Sequence, residues 1–546
     1  MKKILRKILL FVLTVAVGLG TFAAAACASG EQEEGGNGGG NEQTPVSEGK
    51  TVSRIAYTEE GKAYLEVDGE PFTYAGAQIR IDGFMDEEHQ SIDEMERYFK
   101  LAADMNVTMV ELPIQWKDIE PEKDRYDFRN VGKLLGFAKK YGLKAELLLF
   151  TVNVCGMSAV APDYINRDAE TYPRYPSDLT DSTVAFYEQD NPNLLERESL
   201  AVDHLMSAVA DWCDAAGENV VIAVQVHNEP DVFPLWRLQQ YNVMTLDGSR
   251  RLTDIEAWEE TLTALDVIGK VVKNSDYKVV TRVNTAIAWD AAWEAFVPDI
   301  YELEGIDIVG DDTYNETVAV NKEVMQNLSS GKLEGNLPHV AENRGSYTSA
   351  ASCILAVFCM GGGYDIYDLI TPKVYIRDWG WPDEGIIYSY DPNDPATSMK
   401  DKPHTELARR VLYGIKNAGY EMTLAPVGDI AGFNLAGNHP QTECEQTIDT
   451  TSVRIAFSTQ EGALAFAIVR SGYVTLFSTH AATFTLSNGT FSGAQSGTYA
   501  TDGTFTATGA VPMEGNTVSL DGMQICRIKI DSSDGTLTST AVENIA

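Results

Sequence analysis

Two rhythms of apolar residues alternate along the chain from about Val52 to Ala418. Short, nearly continuous apolar runs read as strands buried on both faces, as in parallel sheets. Between them lie longer stretches whose apolar positions recur every three to four residues, the pattern of amphipathic helices. The runs predict strands over 74–79, 107–113, 143–150, 220–226, 278–283, 306–310, 337–342 and 364–369. A helix is predicted from Ser91, where Glu94 three residues on completes a capping box, with Ile92, Met95, Phe99, Ala102 and Met105 on one face. Further helices are predicted over 128–141, 198–216 and 254–273, near Ala291 and Lys322, and over 347–360 and 405–418. Eight strand–helix pairs predict an α/β fold, a (β/α)8 TIM barrel over 51–420. An open doubly wound sheet would want a Gly-rich phosphate loop after its first strand, and none is there.

The pattern changes at both ends. Ala63-Tyr64-Leu65-Glu66-Val67 alternates, and Asp68-Gly69 turns it into Glu70-Pro71-Phe72, a hairpin leading into the barrel. Past Gly419 short alternating runs such as Ala463 to Val469 recur between Gly- and Ser-rich turns, which predicts an all-β sandwich over 421–546 as an accessory domain. Residues 28–50 are Gly, Glu, Asn and Gln with almost nothing apolar, the composition of a solvated tether. Before it, Lys2, Lys3, Arg6 and Lys7 precede an apolar run that ends in Ala24-Ala25-Ala26-Cys27. That leader over 1–27 reads as a secretory signal. It resembles a bacterial lipoprotein signal, which implies lipidation at Cys27, export and a cell-surface or extracellular location. An ordinary cleaved signal and an uncleaved anchor helix remain open.

Charge narrows the partners. Lys+Arg 42 against Asp+Glu 80 gives −38 over 546 residues, a surface that repels nucleic acid and anionic lipid. The expected membrane contact is therefore the N-terminal anchor alone. Seven cysteines and seven histidines show no metal-ligand spacing, so no metal and no cofactor are expected.

Two of the predicted strands run into a glutamate. Val220 to Val226 continues into His227-Asn228-Glu229-Pro230, and Leu337-Pro338-His339-Val340-Ala341-Glu342 ends strand seven. Strand C-termini are where α/β barrels build their sites. Two carboxylates across a barrel mouth are the minimum equipment for cleaving a glycosidic bond: one group protonates the leaving oxygen and the other attends the anomeric carbon. Asp311 and Asp312 end strand six and are candidates to pair or to bind a cation. Arg80, Gln115 and Asn153 lie at strand tips as candidates to grip hydroxyls, and Trp116, Trp379 and Trp381 either offer faces to a pyranose or pack a lid. Arg344, two residues past Glu342, is placed to keep it charged. His227 reads as a hydrogen-bonded neighbour.

Asn228-Glu229-Pro230 with Glu342 resembles the clan of retaining glycosidases on (β/α)8 barrels. Leu112-Pro113-Ile114-Gln115-Trp116, Ile119-Glu120-Pro121, Tyr126-Asp127-Phe128, Gly156-Met157-Ser158 and Ala161-Pro162-Asp163-Tyr164 resemble its β-galactosidase-type families, 35 and 42. The resemblance implies that Glu229 is the acid/base, Glu342 the nucleophile, Asn228 the holder of the sugar 2-hydroxyl, and Tyr314 a hydrogen-bond donor to the nucleophile. It implies an oligosaccharide or polysaccharide substrate and β-galactoside hydrolysis by double displacement. A non-catalytic carbohydrate-binding lipoprotein on the same barrel is the alternative, and oligomeric state stays open.

Overall fold

The computed structural model describes residues 49–537, apart from 182, 287–291, 345–347, 379–387, 391–398 and 437–438. Cys27, residues 28–48 of the tether, Trp379 and Trp381 lie outside the described residues, whereas Lys50, at the tether's end, already pairs as strand with Tyr277.

Eight parallel strands form the central sheet: β1 (Ala75–Ala77), β2 (Met109–Gln115), β3 (Lys144–Phe150), β4 (Val221–Gln225), β5 (Val280–Thr285), β6 (Ile308–Asp312), β7 (His339–Arg344) and β8 (Gly363–Tyr367). Their order, β1-β8-β7-β6-β5-β4-β3-β2, brings the first strand beside the second. A parallel bridge from Gln78 to Glu111 closes that seam, with Thr108 N donating to Ala75 O at 2.8 Å and Ile79 N to Glu111 O at 3.0 Å. The fold is an α/β TIM barrel followed by an all-β region. Helices alternate with the strands: α1 (Glu96–Asp104), α2 (Arg129–Lys140), α3 (Pro192–Ala216), α4 (Asp254–Asn274), α5 (Ala292–Tyr301), α6 (Val318–Leu328), α7 (Ala350–Cys359) and α8 (Thr405–Asn417).

Local chemistry sets the boundaries. The capping box at Ser91 is present: Glu94 Oε2 accepts from Ser91 N at 2.7 Å. The first turn it caps is a 3-10 turn, and the α-helix starts only at Glu96. Helix α3 begins six residues earlier than its apolar pattern predicts. Asn191 caps it, accepting from Asn193 N at 3.1 Å and Leu194 N at 3.3 Å, and Pro192 fills the first helical position, where no N–H is needed. Asp190-Asn191-Pro192-Asn193 reads as loop in the sequence, yet Leu194 and Leu195 that follow are already helical and buried.

The leading strands Ser53–Tyr57, Ala63–Val67 and Glu70–Phe72 form an antiparallel sheet turned at Asp68-Gly69, both at positive φ. Leu65 and Val67 pack with Met109, Ile222, Val280 and Ile308, so this sheet seals the N-terminal end of the barrel.

The C-terminal region is two antiparallel sheets of six and five strands. Phe433, Phe457 and Phe484 stack between them, with ring centroids 5.0 Å apart for the first pair and 5.4 Å for the second. The outer face of the six-stranded sheet is covered too. In the strand Ala465–Arg470, Ala465, Ala467 and Val469 face the sandwich core, while Phe466 and Ile468 join the core of the barrel. Phe477 sits so close to Gly414 on α8 that a Cβ there would meet its ring at 2.4 Å.

Candidate active site

The C-terminal rim of the barrel is shaped by departures from regular strand. The ladder of β4 ends at Gln225; Val226 N donates to Arg282 O at 2.8 Å, and the chain then turns through His227 (φ 60°) and Glu229 (φ 49°). Left-handed backbone costs a non-glycine residue ~1–2 kcal/mol, so it persists only where neighbours enforce it. Here Asn228 N donates to Asn153 O at 3.1 Å, Cys155 N to Asn228 O at 3.0 Å, and Glu229 N to Asn284 Oδ1 at 3.0 Å. The register of β6 shifts at Asp311/Asp312, and that of β7 between Val340 and Asn343. Such bulges re-aim side chains at barrel rims.

The result brings Glu229, Asp312 and Glu342 together, one carboxylate oxygen of each lying within 4.8 Å of the others. Glu342 has both oxygens engaged: Gln78 Nε2 donates to Oε1 at 3.1 Å, and the Tyr314 hydroxyl donates to Oε2. Asp312 Oδ2 accepts from Asn284 Nδ2 at 2.9 Å; its Oδ1 is buried without a partner among the described residues. Asn228 Oδ1 takes Gln225 Nε2 at 3.0 Å and Asn284 Nδ2 at 3.2 Å, and its Nδ2 donates to Cys155 Sγ at 3.4 Å. Burial, then the charge of Glu229, pushes Glu342 up to about 7, against Tyr314, Arg80 and Gln78, which favour the carboxylate. Burial holds Asp312 well above the carboxylate range, with Glu342 and Glu229 adding to it. Burial also raises Asp311 to about 7, although Thr313 Oγ1 donates to it at 2.6 Å.

A second trio lies inside the barrel. Glu111, Glu146 and Asp365 again have oxygens within 4.8 Å of one another. Here a cation sits among them: Arg282 Nη2 is 2.5 Å from Glu111 and 3.8 Å from Asp365, and its Nε is 2.8 Å from Glu146. The Tyr74 hydroxyl donates to Glu146, and His339 Nε2 meets Asp365 at 2.6 Å. All of these side chains are buried.

The other residues singled out in the sequence fall in several places. Tyr314 touches Glu342, and Asn228 adjoins the trio. Arg80 is engaged by Asp82, at 2.7 Å, and by the hydroxyls of Tyr367 and Tyr375; it acts on Glu342 as a nearby charge. Gln115 donates to Asp86 at 2.9 Å, an acid that also pairs with Lys117 at 2.8 Å. Asn153 braces the Cys155 loop, with Oδ1 accepting from Gly156 N at 3.1 Å and Nδ2 donating to Gln189 at 3.1 Å. His227 is a hydrogen-bonded neighbour, 2.7 Å from Glu198. The side chain of Arg344 lies outside the described residues.

Trp116 is a correction. Expected to offer a face to sugar, it is fully buried, and its indole N–H donates to Glu120 Oε2 at 2.9 Å. Glu120 also takes the Tyr164 hydroxyl at 2.8 Å and Arg197 of α3. The segments around Trp116, Glu120 and Tyr164 thus build a brace under the rim loops. Gln78, Asn284 and Cys155 escaped the sequence reading; each is a lone polar residue whose role appears only when distant strands meet.

The chain shows distant similarity to known proteins. Residues 261–440, about a third of the chain, match the model of a domain of unknown function (DUF4978). No curated protein matches. Among solved structures, an exo-β-1,4-mannosidase from Opitutaceae bacterium strain TAV5 is 14% identical, with a TM-score of 0.45, over 68% of this chain and 63% of that one. A β-galactosidase from the psychrophilic Marinomonas ef1 is 11% identical, with a TM-score of 0.45, over 65% and 62%. A hyperthermophilic β-glucosidase from Pyrococcus furiosus is 12% identical, with a TM-score of 0.41, over 61% and 86%. The chain thus spans less than two thirds of the mannosidase and of the β-galactosidase. At this level of similarity the matches carry no functional argument, which rests on the carboxylates.

Proposed function

We propose that this chain is a retaining β-glycosidase that hydrolyses β-galactosides or related pyranosides of oligosaccharides, exported and held at the cell surface through its N-terminal leader. One observation carries the reading: Glu229 and Glu342 meet at the C-terminal rim with carboxylate oxygens within 4.8 Å. Retaining hydrolysis asks for carboxyls about 5–5.5 Å apart, because one must reach the anomeric carbon while the other reaches the departing oxygen. A pair that attends a water as in inversion stands wider, at about 6.5–9.5 Å.

The roles follow from the surroundings. Two carboxylates this close resist being ionised together. Glu342 receives Tyr314 and Gln78, donors that favour its ionised form, and so serves as nucleophile. Glu229, held at its backbone N–H by Asn284, is assigned the role of acid/base. Attack by Glu342 on the anomeric carbon forms a glycosyl ester as Glu229 protonates the leaving oxygen. Glu229 then takes a proton from water, which releases the sugar with its configuration kept. Asn228 presents its amide beside Glu229 for the 2-hydroxyl, its rotamer fixed by Gln225 and Asn284.

Incubation with 2-deoxy-2-fluoro glycosides bearing good leaving groups, followed by peptide mapping by mass spectrometry, tests this. A sugar ester on Glu342 is the expected result. An ester on another carboxylate, or none from any sugar of the panel, overturns the assignment.

A further inference from the structure

The mechanism uses two carboxyls, yet the rim holds three. Asp312 is 1% exposed and lies with Glu229 and Glu342 inside the same 4.8 Å. It is tied in by Asn284, whose amide donates both to Asp312 Oδ2 and to Asn228 Oδ1 and whose oxygen accepts the Glu229 N–H. Asn284 therefore locks Asp312 to the turn that carries Glu229. What remains is Asp312 Oδ1, a buried oxygen with no partner among the described residues. An ionised carboxylate would leave that oxygen desolvated as well as unpaired, a combination that disfavours the charged form. Protonation turns the orphan acceptor into a donor in a site that Asp312 shares with the carboxyls of Glu229 and Glu342.

We infer that Asp312 is a positioning residue for the Glu229–Glu342 pair: a neutral carboxylic acid whose Oδ1 proton is directed at the pair and fixes it without adding charge. The inference rests on the reading of Glu229 and Glu342 as the reacting groups. The charged and titratable groups around Asp312 agree with it. Glu342 on β7, Glu229 after β4 and Asp311 on its own strand all oppose its ionisation, and Tyr314 lies alongside. Arg282 on β5 opposes this trend, but it is committed to Glu111 and Glu146. A neutral Asp312 adds no negative charge beside the nucleophile.

The test compares Asp312→Asn with Asp312→Ala in the full chain. Asparagine keeps a neutral donor in the same place; alanine removes it. The pH profile of kcat/KM on an aryl glycoside is one readout. The infrared carbonyl stretch of protonated carboxyls near pH 7, wild type minus Asp312→Asn, is the other, and it needs no turnover. Expected are an unshifted acid limb in Asp312→Asn, a loss of kcat in Asp312→Ala of up to ~100-fold from misplacement of the pair, and one protonated-carboxyl band missing from Asp312→Asn. If Asp312 is ionised, Asp312→Asn removes a charge beside the pair; its acid limb then moves down by about one unit or more, no band is lost, and the inference falls. A lost band with unchanged kcat in Asp312→Ala also overturns the positioning role. A wild type that cleaves no glycoside refutes the glycosidase reading instead, and the infrared band alone then decides the state of Asp312.

Discussion

The barrel holds two trios of carboxylates with the same spacing and opposite treatment. In the inner trio, Arg282 reaches Glu111, Glu146 and Asp365, and His339 and Tyr74 satisfy further oxygens. In the rim trio, Asp312 and Glu342 have amides and a phenol as partners, and Arg80, which acts on Glu342 as a nearby charge, is committed to Asp82. The difference teaches what carboxylate clustering means in a buried site. Where a cation is inserted, the cluster is a strut. Where it is withheld, the protons are left to balance the charge, and groups with displaced proton affinities are what acid/base chemistry needs.

Removing the cation should break the comparison most severely. Arg282→Met leaves three buried carboxylates without their counter-charge, and a loss of about 3–5 kcal/mol is expected from breaking a buried pair on one side. Thermal or denaturant unfolding would register it, and an unchanged midpoint would show that the inner trio is not held by Arg282.

The rim should respond in the opposite direction. Glu342 rises from the usual glutamate range to about 7 on folding, so the native state binds the proton more tightly than the unfolded chain. Its contribution is therefore fully present below the unfolded value and is lost as pH climbs to about 7. Glu342→Gln abolishes that loss. Its melting temperature should match wild type in acid, rise above it between those two values, and hold a constant advantage beyond, while turnover disappears. A stability difference that is flat with pH would contradict the displaced proton affinity.

The smallest effect concerns the backbone. Glu229 sits at φ 49°, a conformation that glycine adopts freely. Glu229→Gly should gain up to about 1 kcal/mol of stability, the relieved strain exceeding the added freedom of the unfolded chain. The same change should cost about 100- to 10,000-fold in kcat/KM, as expected for a lost general acid. A destabilised variant would mean that Glu229 is a structural carboxylate.

Much of the architecture was legible because parallel strands covered on both faces cannot hide their apolar runs. The positions of Glu229 and Glu342 were legible for the same reason, each ending such a run. What could not be read depends on register. The bulges at Asp312 and Glu342 leave no local signature, yet they aim both side chains. Trp116 looked like a rim aromatic because nothing in the sequence says that Glu120, one helical turn on, takes its N–H. The inner trio did leave a trace: Glu111 and Glu146 are single acids inside otherwise apolar strands, a placement tolerated only where a partner such as Arg282 arrives from across the barrel.

The sheet whose alternate residues serve two cores bears on how such a protein can diversify. Phe466, Ile468 and Phe477 belong to the barrel's interior as much as Leu412 or Ile415 of α8 do. A chain cut after α8 would lay that surface bare, so the C-terminal region is not a cassette to be exchanged for another. Recombination at that seam would have to carry both halves of a fitted contact, whereas the rim loops can change one residue at a time. Change is therefore expected to be easier at the rim than by exchange of the C-terminal region.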